Sequence, residues 1–311
     1  MMPGTMTDTS PPSPSSPSAS TLPRVLDALD LTAVPAPAGV TAAFVGEQFP
    51  APFHHILGGH IAAQGLIAAG RTVSGRTPHS LHGYFLRAGD ARHPVDFEVL
   101  DLQEGRNFSA RRITASQSGQ VLMSGVASFC TEAVAERGAD GGLGYQPSMP
   151  AAPDPDGLPA QPHPVELADA GPGRWTSLRW FRRCEVDTGR PEDSDGPGRL
   201  RIWWRPDGAV PHDPLLGAAL VSYLCAASLV EPAVAARVAR GSRQLNTAQR
   251  DFAIWFQDAP RLDDWLLLDQ CSDSAIGARA LSRGRMYNRT GDLVCTANQE
   301  LYFPPRLPQG H

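Results

Sequence analysis

Two stretches decide the fold: GGHIAAQGLIAAG at 58–70 and PLLGAALVSYLCAASLVEP at 214–232. Both have helical length. Both are apolar nearly all round, with Gly and Ala spread through them. A surface helix carries one apolar stripe, so these predict helices buried on every side and wrapped by a curved sheet. Working outward, four strand-like segments follow each helix. After the first come SLHGYFLR (80–87), HPVDFEVLDL (93–102), NFSARRITAS (107–116) and QVLMSGVASF (120–129). After the second come QRDFAIWFQ (249–257), DWLLLDQC (264–271), ARALSRGRMYN (278–288) and DLVCTANQELYF (292–303). Two more strand-like runs, SLRWFRRCEV and RLRIWWRP, precede the second helix. Tyr84-Phe85 and Trp255-Phe256 are 171 residues apart, and the turns Ser118-Gly119 and Thr290-Gly291 are 172 apart. That weak internal similarity predicts a duplicated module. Each copy packs one helix on an antiparallel sheet, an α+β layout.

Composition places the boundaries. Residues 1–22 are rich in Pro, Ser and Thr, cannot bury enough apolar surface to offset ordering entropy, and read as a disordered tail. Ordered structure should begin near VLDALDL, which has helical spacing. Residues 131–164 hold the Pro-dense run YQPSMPAAPDPDGLPAQPHP and read as an extended linker. It separates a first module, 23–130, from a second, 165–305, with a short tail at 306–311. TGRPEDSDGPG (188–198) reads as a long hairpin loop.

The charge balance excludes some partners. A 311-residue chain with 41% hydrophobic residues can bury a sizeable core. The formal net charge of −5 argues against a nucleic-acid binder, whose footprint is a basic surface. All 27 basic residues are Arg; without lysine there is no Schiff base and no amine nucleophile. No apolar run is read as long enough to span a bilayer, so no membrane partner is expected. The N-terminus lacks the basic and apolar regions of a signal peptide. Five scattered Cys without a C-x-x-C pair exclude a zinc ribbon or redox motif. They read as reduced thiols in a cytoplasmic protein with no metal or redox cofactor.

A family signature runs through these segments. GGHIAAQGLIAAGRTV, HSLHGYFLRAGD and EGRNFSARRITASQSGQVLMSGVASF, with IWFQDAPRLDDWLLLDQCS and RALSRGRMYNRTGDLVCTANQE, resemble type II (TesB-like) acyl-CoA thioesterases. The resemblance covers about 40–130 and 175–303. It implies a double hotdog, an acyl thioester of coenzyme A or a carrier protein as substrate, and a homo-oligomer. It also implies hydrolysis by direct water attack, with an Asp, a Thr or Ser and a Gln orienting the water. The Gln falls on Gln299. The Asp position falls on Ala226, the Thr/Ser position on Gln249, and a family His on Phe252 or its neighbour. A methyl accepts no proton and an amide is not basic near neutrality, so the general base is missing; such a loss costs about 10² to 10⁴ in rate.

Several residues compete to replace it. His60 follows Gly58-Gly59 at a helix start, where backbone N–H groups can hold a thioester oxygen. An imidazole there suits acid or base work near pH 7. Gln64 lies one turn on, on the same face, and would orient a water or the carbonyl. FPAPFHHILGGHIAAQ (49–64), with His54 or His55 upstream, is similar to the helix-opening pattern of hotdog dehydratases, but Gln64 is an amide and cannot be their acid. Asp251 is a candidate base if it points inward; otherwise it is a hydrogen-bonded strand-end residue. Asp213, before Pro214, should cap the second helix. Cys225 reads as core. Arg111 and Arg112 point to opposite faces of one strand, so at most one meets a phosphate. Tyr84, Trp203, Trp204 and Trp255 should fill core or line an acyl tunnel. Hydrolysis leads; dehydration, cyclisation, acyl transfer or non-catalytic acyl binding on the same scaffold are the alternatives.

Overall fold

The protein's structure is a computed structural model; it describes residues 20–48, 55–136, 141–161, 180–186, 198–242 and 247–304. The tails expected at 1–22 and 306–311, the second module's start at 165–179, His54 and most of the 188–198 loop lie largely or wholly outside them.

Helix α1 (Leu22–Leu29) is followed by β1 (Thr32–Val34), β2 (Ala42–Gly46) and α2 (Gly58–Gly70). Then come β3 (Arg76–Phe85), β4 (Val95–Glu104), β5 (Phe108–Gln117), β6 (Gln120–Thr131) and a short α3 (Glu132–Ala135). The second half holds β7 (Phe181–Val186), β8 (Arg199–Pro206), α4 (Pro214–Ser228) and α5 (Val230–Ala239). It ends with β9 (Ala248–Gln249), β10 (Asp251–Phe256), β11 (Leu266–Ile276), β12 (Arg279–Asn288) and β13 (Leu293–Tyr302). The strands form one sheet in the order β1-β2-β4-β5-β6-β3-β10-β13-β12-β11-β8-β7, with β9 beside β13. Read from the middle outward, the two halves repeat each other strand for strand. The seam is the antiparallel β3–β10 pair, with Leu81 opposite Ile254 and Gly83 opposite Phe252. This is the double hotdog.

The two long helices lie inside it. Every residue of α2 after Gly58 is buried, as are Gly217 to Ala226 of α4. Gly and Ala are there because the helices touch backbone to backbone. A Cβ on Gly59 would stand 2.6 Å from the Tyr223 carbonyl oxygen, and one on Gly70 would meet Leu215 at 2.4 Å. The start of α2 thus meets the end of α4, so the two run antiparallel. Asp213 caps α4, its Oδ1 accepting from the N–H groups of Leu215 (2.8 Å) and Leu216 (3.3 Å). One apolar core joins both modules, from Val25 and Phe97 to Leu220 and Met286.

Two expectations are corrected here. The nearly continuous helical run Pro214–Ala239 is long and apolar enough to cross a membrane by length and composition, but 83% of its most apolar window is buried in this core. Residues 141–161 are extended except for a 3₁₀ turn at Pro155–Gly157, yet they are a docked strap rather than a bare connector. Met149, Ala152 and Leu158 pack on Cys184, Trp203, Trp265 and Leu267 of the second module's outer face. The Trp203 indole N–H donates to the Pro153 carbonyl (3.0 Å), and Arg289 clamps Asp154 and Asp156 (2.8 Å each).

Candidate functional site

The groups expected to act meet where α2 begins, against α4 and the β9–β13 corner. Gln249 reaches up from β9, and its Nε2 donates to the Ala226 carbonyl oxygen (2.5 Å). Its Oε1 lies so close to Gly58 that a Cβ there would stand 2.2 Å from it, and a Cβ on Gly59 would meet Ala226 at 3.2 Å. Gly59, which faces the Tyr223 backbone, is therefore required by close approach, and Gly58, Gly59, Ala226 and Gln249 form one contact group. The first-turn N–H groups of α2 point out of the helix start toward it. The amide groups of His60 and Ile61 already bond the Leu57 carbonyl (3.0 and 3.3 Å).

Gln299 faces the interior from β13. Gln249 pairs with Leu301, two residues on along the same face, so Gln299 is its diagonal neighbour at roughly 7–8 Å. Gln299 is fully buried, and neither amide atom has a hydrogen-bond partner among the described residues. Its opposite number on β12 is Ser282, also fully buried with its hydroxyl unpartnered. Gln270, diagonal to Ser282 across β11 and β12, has both amide atoms unpartnered, and so does the Ser228 hydroxyl at the end of α4. Native proteins satisfy nearly all buried polar groups, so such a concentration marks a place for water or a polar ligand. Sequence reasoning missed Ser282, Gln270 and Ser228. Strand alternation held the signal, since Leu266, Leu268, Gln270 and Ser272 share one face.

His60 is buried beside this group, its ring edge-on to Tyr223 with centroids 5.4 Å apart. Its Nε2 is 3.5 Å from the Glu47 carbonyl. Burial lowers its pKa from 6.5 to about 4, partly offset by that carbonyl, so the ring is neutral at pH 7. Burial likewise pushes the Tyr223 phenol up.

Four expected site residues stand elsewhere. Gln64 is structural: its Nε2 donates to the carbonyls of Ala28 (2.8 Å) and Glu47 (2.9 Å), and its Oε1 accepts from Gln48 (2.8 Å), which ties α1 to α2. Asp251 is not an inward base. Its Oδ1 accepts from the Glu300 N–H (2.7 Å) where β9 gives way to β10. Phe252, Ile254 and Phe256 form the inner face of β10, which leaves Asp251 and Trp255 on the outer one. Tyr84 pairs with Asp251 and is 63% exposed. Trp255 stacks edge-on against His82 outside the sheet. Neither lines an interior tunnel. Arg111 is buried and ion-paired with Asp101 (2.9 Å) and Glu104 (2.6 Å), while Arg112 is exposed.

Two fused modules with an inward-facing amide and hydroxyl cluster beside a helix start define a double hotdog with a polar interior site. Residues 46–130 match the acyl-CoA thioesterase N-terminal domain, and residues 152–303 match its C-terminal domain. The structure superposes on the tesB protein of Mycobacterium avium subsp. paratuberculosis with TM-score 0.75 and 48% identity, covering 91% of this chain and all of that one. It superposes on an acyl-CoA thioesterase II, TesB2, from Mycobacterium marinum with TM-score 0.73 and 32% identity, covering 93% and 99%. Acyl-CoA thioesterase 2 of Haemophilus influenzae is 29% identical over 272 residues, 83% of this chain and 90% of that one. The chain belongs to the type II acyl-CoA thioesterase family.

Proposed function

We propose that this protein hydrolyses acyl-CoA thioesters by direct attack of water, at the corner formed by Gly58, Gly59, Gln249, Ser282 and Gln299. The thioester carbonyl oxygen sits at the start of α2, where outward N–H groups and the positive end of the helix dipole stabilise the charge that develops on it. The Gln299 amide, aided by the Ser282 hydroxyl, holds the attacking water. With its Nε2 bound to Ala226, Gln249 presents Oε1 to the helix start and keeps the reacting groups in register. The observation that carries this reading is the fully buried Gln299 with both amide atoms unpartnered, diagonal to Gln249.

No carboxylate takes the family's Asp place. Ala226 stands there, and Asp251 is engaged on the other face. The neutral His60 ring stands beside this group, and a base whose pKa is about 4 is weak at pH 7. Hydrolysis therefore runs on positioning and oxyanion stabilisation, below the rate a positioned carboxylate would give. The likeness to proteins named for acyl-CoA supports coenzyme A as the carrier. A carrier-protein thioester would present the same pantetheine end and is the second substrate to try.

The test is thiol release from short, long and aromatic acyl-CoAs, with Gln299→Ala in parallel. Loss of one preorganised donor should lower kcat by about 10² to 10³. Undiminished release by the variant, or none from any substrate by the folded wild type, defeats the reading.

A further inference from the structure

The outer face of the second module carries a charged site on the opposite side of the sheet from Gln299. Register places its members. Arg201, Asp269, Arg285 and Thr296 form one row across β8, β11, β12 and β13; Arg199, Cys271, Arg283 and Asn298 form the next. A cavity of about 60 Å³ opens between the rows, lined by Arg199, Asp269, Cys271, Arg283, Arg285 and Thr296. By the usual measure that is room for about four waters, or for one tetrahedral oxyanion.

Asp269 is shared by two guanidiniums: Arg199 grips both its oxygens (3.0 and 2.7 Å) and Arg201 bonds one (2.9 Å). Asp273 holds Arg283 (2.8 Å). Among the described residues no carboxylate pairs with Arg285. Arg199 and Arg283 keep nearly half their side-chain surface in solvent. Guanidinium forks facing a small cavity beside a threonine hydroxyl are the donor set that planar or tetrahedral oxyanions take. One strand further on, Trp255 pairs with Thr296 and rests edge-on against His82, with a ring centroid distance of 4.6 Å. Trp255, partly exposed, thus lies two strands from Arg285 on the same row.

We propose that this outer-face cluster is a binding site for a phosphate group, Arg285 its principal contact, with Trp255 able to stack the base of a nucleotide. Inner and outer faces of β13 are separated by the sheet itself. The arginine rows share no residue with the groups around Gln299, and the inference does not depend on the hydrolysis proposed above.

Calorimetric titration of the full chain tests it, with inorganic phosphate and adenosine 3′,5′-bisphosphate as probes and chloride at matched ionic strength as control. Phosphate should bind with measurable heat and chloride should not. Arg285→Gln should weaken phosphate about tenfold or more, the loss expected for a charge-assisted contact. Arg285→Lys, which keeps the charge without the fork, should fall between. If Trp255→Ala weakens the bisphosphate but not phosphate, the site takes nucleotides. If it changes neither, the site takes free phosphate. Heats equal to the chloride control, or full affinity in a folded Arg285→Gln, overturn the proposal.

Discussion

At the scale of single residues, the inner site is polar where the fold would prefer it apolar. A buried amide without partners forfeits its hydration and gains nothing in return, about 1–3 kcal/mol. Gln299→Leu should therefore raise stability in urea denaturation by about 1 kcal/mol or more while it suppresses thiol release. A variant that loses both would mean that Gln299 serves the core and not the reaction. His60 yields a second prediction. The folded protein holds it neutral, with its pKa lowered from 6.5 to about 4. Below about 6.5 the unfolded chain takes up a proton that the folded chain refuses. This contribution to stability is complete above 6.5 and declines as pH falls toward 4, by about 3 kcal/mol over the whole window. Denaturation at pH 7, 5.5 and 4.5 should show that slope, and His60→Gln should flatten it.

Elements explain what the sequence could and could not disclose. Helices α2 and α4 were legible because no surface helix is apolar on all sides. The start of α2, Gln249 and Ala226 were legible through the family motif. Asp251 and Trp255 were misplaced for one cause. Alternation in DFAIWF puts Asp251 with Trp255 and Phe252 with Phe256, but it does not say which set faces in. The more apolar set, Phe252-Ile254-Phe256, is the inner one; weighing the two would have sent Asp251 and Trp255 outside. Gln64 had no such signal, because its partners at Ala28 and Glu47 are 36 and 17 residues away. The α2–α4 contact can be tested directly. Gly59→Ala drives a methyl into the Tyr223 carbonyl, and backbone cannot rotate aside as a side chain does. Overpacking of this kind should cost about 1–3 kcal/mol and displace the helix start from Gln249, so Tm and kcat should fall together. The strap at 141–161 is held by Arg289 on Asp154 and Asp156, with two indole hydrogen bonds beside it. Arg289→Ala should speed proteolytic cleavage within the strap while leaving kcat unchanged.

On the scale of the whole molecule, the duplicated modules are not independent domains. Domains joined by a linker share few contacts and melt apart. Here three features bind the halves: the β3–β10 ladder, the antiparallel α2–α4 contact, and a core cluster with members from both. Neither half closes its own interior. Removing the second module would strip α2 of the helix against which Gly59 and Gly70 are fitted, and would bare β3 as an apolar sheet edge, an invitation to aggregate. The proposed corner depends on the same union: Gly58 and Gly59 come from one module, Gln249 and Gln299 from the other. Scanning calorimetry on the full chain should accordingly give one cooperative transition, with calorimetric and van't Hoff enthalpies equal. A substitution at the seam such as Ile254→Ala should shift that transition to lower temperature as a unit, by about 2–5 kcal/mol for the lost core side chain. Two resolved transitions, or one that splits in Ile254→Ala, would mean that the modules fold separately and that the corner between them is assembled afterwards.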